Sequence, residues 1–153
     1  METHRNTPSE CETKVRLLRG ELSAIHTYRQ ISGKLRPESH AFAVHQILRN
    51  HEHAAATLGD NLASGDRQEA EQGDTWKTLG LIVETTTDPL VDTMALKALK
   101  EGEEQCELAY TNALDSSALD SATRSLIRSE LLPGSKTNQR ILSGLLLSAV
   151  SAT

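Results

Sequence analysis

An all-α fold built on four long helices is what this sequence predicts, and three observations carry the prediction. Aromatic residues make up only 3% of the 153, so the core must come from Leu, Ala, Ile and Val, a balance that suits packed helices better than sheets. Apolar residues recur at three- and four-residue spacing along four stretches, divided by breaks rich in Gly, Pro and polar residues. A Gly-Glu pair followed seven positions after the Glu by Tyr occurs twice, as Gly20-Glu21 with Tyr28 and as Gly102-Glu103 with Tyr110. Seven residues is close to two helical turns, so each Glu lies nearly in line with its Tyr on one helix face.

The elements follow in order. Met1 to Pro8 is polar and expected to be disordered, leaving one domain over about residues 9–148. Ser9 with Glu12 three residues later is a capping-box pattern, which starts a first helix that runs to about Gly33. Its stripe is Leu17, Leu18, Glu21, Ala24, Ile25 and Tyr28. A short turn leads to Pro37, suited to the first turn of a second helix that extends to about Ala63. That helix carries Val44, Ile47, Leu48, His51, Ala55, Leu58 and Leu62 on one face, with Asn50 and His53 on its flank. The short connection makes the two helices an antiparallel hairpin.

From Ser64 to Asp74 the chain is polar and acidic and reads as a loop. The following TWKTLGLIVETTTD predicts a short helix that packs Trp76, Leu79 and Val83 on the bundle. A connection this long suits a crossover between two hairpins rather than a turn between neighbours. Asp88-Pro89 supplies an N-cap and a first-turn proline for a third helix, with Leu96, Leu99, Glu103, Cys106 and Tyr110 on its face. Ser117 with Asp120 is read as a further capping pair opening the fourth helix. The inward face of that helix is expected to be Leu119, Thr123, Leu126, Ile127, Glu130, Thr137, Ile141 and Leu145, with Pro133-Gly134 kinking or breaking it.

Composition excludes several function classes. A net charge of -5 and a pI near 5.7, with no cluster of Lys or Arg, argue against a nucleic-acid groove. The C-terminal ILSGLLLSAV is too short and interrupted to span a bilayer, and the polar start METHRNTPSE does not read as a secretory signal. Cys11 and Cys106 lack metal or redox spacing and are expected as free thiols, so a cytoplasmic protein is the expectation. No phosphate-binding glycine loop or Cys/His zinc pattern occurs. His4, His26, His40 and His45 show no ligand spacing and are expected at the surface.

What remains is a set of ionisable residues on inward stripes, one per helix: Glu21, His51, Glu103 and Glu130. A bare buried carboxylate costs several kcal/mol, so each must be neutralised, hydrogen-bonded or bound to a cation. Oxygen donors with an imidazole suit iron or manganese. Equally, Tyr28 and Tyr110 can donate to the glutamates, each on its own helix or across the bundle, and make a dry polar network without metal.

In the segments LLRGELSAIHTYRQ, NHEHA, ALKALKEGEEQCELAY and LIRSELLP the chain resembles the ferritin-like superfamily, and more narrowly a bacterial family of uncharacterised ferritin-like domains. The resemblance runs from about Cys11 to Leu147 and implies a ferritin-like bundle, a di-metal centre of iron or manganese, and a homo-oligomer, expected as a dimer. It places Glu21, Glu103 and Glu130 in the carboxylate slots of the first, third and fourth helices, and either His51 or His53 in the histidine slot of the second. Such centres use a Glu from each of two helices and a Glu-x-x-His from each of the other two. The glutamate partner of the second-helix histidine is then Leu48 or Asn50, and the position three after Glu130 is Pro133. Four of six ligands remain, so metal binding is expected ahead of ferroxidase or oxidase turnover, and the alternative is a metal-free structural or interaction bundle with a degenerate site.

Overall fold

A computed structural model of the chain describes residues 9–32, 34–35, 38–60, 62–72 and 89–151. Among them there is helix and turn but no strand. The helices are α1 (Glu10–Ser32), α2 (Glu38–Gly59), α3 (Ser64–Ala70), α4 (Pro89–Leu114), α5 (Ser121–Leu126) and α6 (Leu132–Ser151), with a π-helical segment, Ile127–Leu131, joining the last two. No helix of the described residues is long and apolar enough to cross a membrane.

Local chemistry sets the first ends. Ser9 Oγ accepts from the Glu12 amide at 3.1 Å while the Glu12 carboxylate accepts from the Ser9 amide at 3.4 Å, the reciprocal capping box the sequence predicts. α2 stops at Gly59, earlier than expected, where Arg67 Nε donates to the Gly59 carbonyl at 2.7 Å. A β-carbon at position 59 would lie 3.1 Å from that guanidinium, so glycine permits the close approach. Arg67 belongs to α3, which forms where a polar loop is expected. Its helix is stabilised by docking: Ala70 is fully buried, and the Glu69 carbonyl accepts from Arg19 of α1 at 3.1 Å. The short helix expected around Trp76, Leu79 and Val83 lies outside the described residues, as does the N-terminal segment 1–8.

α1 packs chiefly on α2, and α4 on α6, giving two hairpin pairs that close into a four-helix ring through α1 with α4 and α2 with α6. The core is almost wholly aliphatic, including Leu18, Ile25, Ile47, Leu58, Leu96, Leu99, Ile127 and Leu142, with Tyr28 and Tyr110 as its largest members. Tyr28 of α1 reaches Glu103 of α4, and Tyr110 of α4 reaches Glu21 of α1. That crossed pairing makes α1 and α4 antiparallel. Since α2 also runs against α1, α2 ends and α4 begins at opposite ends of the bundle.

The fourth arm of the bundle departs from expectation in two ways. α5 begins one residue after Asp120, whose own carboxylate accepts from the Thr123 amide at 3.4 Å, so Asp120 is the cap rather than a capping partner of Ser117. Backbone then stays helical from Ser121 to Ser151, through Pro133. The helix is not broken there, and the π-helical turn ends two residues before the proline. A π turn bonds five residues apart and already forgoes regular i→i−4 bonds, so a residue without an N–H is accommodated at its end.

That turn also resets the inward face. Leu119, Thr123 and Ile127 are buried as expected, but from the last residue of the turn onward the buried positions are Leu131, Ser135, Asn138 and Leu142. Each residue advances a helix by about 100°, so the wider turn displaces the stripe by one position. Glu130 and Thr137, expected inside, are exposed. His40, expected at the surface, is 5% exposed, because the first turn of α2 already lies against the bundle.

Arg124 secures the hinge between the hairpin arms. It donates to the carbonyls of Leu119 at 3.0 Å and Leu114 at 2.7 Å, and to that of Ser116, closing the end of α4 with one guanidinium. Arg124→Ala is expected to destabilise the fold by about 2–3 kcal/mol, read as a lower urea midpoint. Arg124→Lys should recover only part of this, since an ammonium cannot span the fork.

Candidate functional site

The middle of α1 and the middle of α4 each place a glutamate at the bundle axis. Glu21 is 3% exposed and Glu103 is fully buried. Both sit on stripes that are mostly apolar, so helical periodicity carries them inward together with their neighbours. Because the two helices carry the same Glu-to-Tyr spacing and run antiparallel, each Glu stands level with the other helix's Tyr. Tyr28 donates to Glu103 Oε1 at 2.7 Å, and Tyr110 donates to Glu21 Oε1. Of the two tyrosine arrangements open to the sequence, the one across the bundle is formed.

His51 of α2 lies between the two carboxylates. Its Nδ1 is 2.5 Å from Glu21 Oε2 and its Nε2 is 2.5 Å from Glu103 Oε1. An ionised carboxylate only accepts, so these two contacts fit an imidazolium that carries a proton on each ring nitrogen. Burial by itself would lower the histidine pKa, but the charges of Glu21 and Glu103 outweigh it and raise the value to about 10. The Tyr28 ring lies 5.2 Å from the imidazole, tilted by 33°, and walls it off from the helix 1 side.

α6 completes the set with neutral groups. Asn138 Nδ2 donates to Glu103 Oε2 at 3.4 Å and its Oδ1 accepts from Asn50 at 3.1 Å, while Ser135 donates to the Glu103 carbonyl at 3.0 Å. Ser135 and Asn138 are both nine-tenths buried or more. Sequence reasoning passed over them because a straight helix places them off the inward face. The signal was Pro133, which marks a defect in helical register, although the sequence does not say in which direction the face turns.

The four residues expected to converge therefore divide. Glu21, His51 and Glu103 meet within hydrogen-bonding distance, whereas Glu130 is exposed and takes no part in these bonds. Between the two histidines of α2, His51 is the buried one and His53 is exposed. Glu130 and His53 instead line a cleft of about 250 Å³ between α2 and the π-α6 arm, whose floor is Glu21, His51, Cys106 and Asn138. Burial, then the charges of Glu21 and Glu103, push the Cys106 thiol well above its ordinary value, so it is a protonated packing group rather than a nucleophile. Tyr28 and Tyr110 are likewise raised, first by burial and then by the carboxylate each bonds, and they remain phenols.

The chemistry of the donor set bears on the metal expected from the ferritin-like resemblance. Both imidazole nitrogens face carboxylates, and each of the four carboxylate oxygens takes a hydrogen bond from His51, Tyr28, Tyr110 or Asn138. Among the described residues, no group of three or more His, Cys, Asp or Glu side chains is arranged to hold a metal ion. As disposed, these donors point at each other and not at a common vacant point.

No protein-family model, curated protein or solved structure matches this chain.

Two outcomes test the network. Because the His51 pKa is raised in the folded state, its stabilisation is fully present below the ordinary value of 6.5 and is lost as pH rises through about 10. Urea midpoints should fall across that window, and in His51→Gln this component of the slope should vanish, with an overall loss of about 3–5 kcal/mol from leaving two carboxylates uncompensated. Tyr28→Phe and Tyr110→Phe should each cost about 1.5–3 kcal/mol, and near-equal losses in thermal melts would reflect their matched positions.

Proposed function

We propose that this chain is a ferritin-like bundle whose centre works without metal, and that it serves as a structural or protein-interaction module rather than an enzyme. One observation carries the reading: His51 stands between Glu21 and Glu103 with both nitrogens engaged. A doubly bonded imidazolium supplies there the positive charge that a metal ion supplies in a di-metal bundle. Once the carboxylates are compensated, their repulsion no longer calls for a cation. A structural role also agrees with a partly buried Cys106 held as a thiol.

The interaction role is supported by the surface. Phe42 is 67% exposed on α2 and Leu147 is 72% exposed on α6, two neighbouring helices of the ring. Large apolar groups exposed on adjacent helices suit a covered face. A homodimer is the simplest assembly that covers it.

The competing reading gives iron or manganese to Glu21, His51, Glu103 and Glu130. It requires His51 to surrender at least one carboxylate and its proton, and the exposed Glu130 to turn inward. Elemental analysis of protein purified without chelators separates the two. We expect iron and manganese far below one per chain, and no oxygen consumption above buffer on addition of ferrous iron. Stoichiometric metal that disappears in Glu103→Ala would overturn the metal-free reading.

A further inference from the structure

We infer that Ser135 and Asn138, not Glu130, occupy the positions from which the fourth helix would hold a metal, and that their neutrality is what decides against a divalent cation at this centre. The inference rests on the proposed metal-free, ferritin-like reading and names the residues responsible for it.

The geometry is as follows. A carboxylate-bridged di-metal bundle draws a Glu and, three residues on, a His from each of two helices, facing single glutamates on the other two. Here the single glutamates are Glu21 and Glu103. On α2 the buried pair three apart that faces them is Leu48 and His51. On α6 the buried pair three apart is Ser135 and Asn138, and both bond Glu103, one at its backbone carbonyl and one at its carboxylate. Glu130 lies within the π turn that makes the register change and is exposed.

Charge follows from that placement. The template sets four carboxylates and two imidazoles around its cations. In this chain a leucine and a serine stand at two of the carboxylate positions and an asparagine at one of the imidazole positions. Two carboxylates then face one imidazolium, so the excess of negative charge is small. Asn138 adds a further discrimination. An amide nitrogen turned toward Glu103 Oε2 presents a donor where a cation needs an acceptor. Access is not the limit, since Ser135, Asn138, Glu21 and His51 line the same cleft, open between α2 and α6.

Asn138→Asp is the direct test, because it changes the charge and leaves the shape nearly the same. A carboxylate replacing the amide removes a donor to Glu103 and sets a third negative charge beside it, which a divalent cation would relieve. Thermal melts at neutral pH with and without Mn(II) or Co(II) read the effect by linkage. The parent should melt at the same temperature with or without metal. N138D should melt lower than the parent without metal and rise by several degrees with it, and the rise should vanish when E103Q is added. The pair S135E/N138H, which rebuilds a Glu-x-x-His, should bind Co(II) stoichiometrically with visible d–d absorption, while circular dichroism confirms its helix content. If both variants are folded and neither responds to metal, or if the response survives E103Q, the assignment of Ser135 and Asn138 falls and the metal-free reading stands. If the parent itself responds to metal, both fall.

Discussion

Two carboxylates at one depth inside an aliphatic bundle are the constraint from which most of this structure follows. Glu21 and Glu103 are almost wholly withdrawn from solvent, and an uncompensated charge in such a place would cost a large part of an ordinary domain's margin of stability. Each needs hydrogen-bond donors and the pair needs a positive charge. The donors come from α1 and α4 themselves, crosswise, through Tyr28 and Tyr110. The charge comes from α2, as the His51 imidazolium. Only one relative direction of α1 and α4 brings each phenol to the opposite carboxylate, and only one register of α2 puts an imidazole between them. The polar centre therefore selects among packings that aliphatic side chains alone would leave close in energy.

The same arrangement governs what the centre can do. A histidine bonded at both nitrogens has neither a lone pair for a ligand nor freedom to exchange protons with a substrate. Phenols and a thiol raised by burial stay protonated. Such a set of groups is chemically quiet at neutral pH, although a cleft reaches its edge.

The π-helical turn ties backbone to site. Pro133 withdraws one amide from the helical ladder, and the widened turn Ile127–Leu131 absorbs the loss without ending the helix. Its consequence lies downstream, where the inward face moves from the Glu130 and Thr137 side to Ser135 and Asn138. A small irregularity in one turn thus decides whether the fourth helix offers the centre an anion or neutral hydrogen-bond donors.

Much of this was legible in the sequence. Helical periodicity located α1, α2 and α4 and put Glu21, His51 and Glu103 on inward faces, because each lies in a long amphipathic stretch without defects. The Ser9–Glu12 box marked a helix start through bonds between residues three positions apart, and Pro89 marked another through its fixed backbone angle. The repeated Glu-to-Tyr spacing announced a polar core. Tertiary structure alone decided that each tyrosine serves the opposite helix's glutamate, that His51 and not His53 enters, and that α3 forms, since these depend on which helices meet and at what height. It also decided the face of α6. Beyond a proline the periodicity of a straight helix no longer predicts which side is inward, and the outcome rests on how the backbone of that turn relieves its missing hydrogen bond.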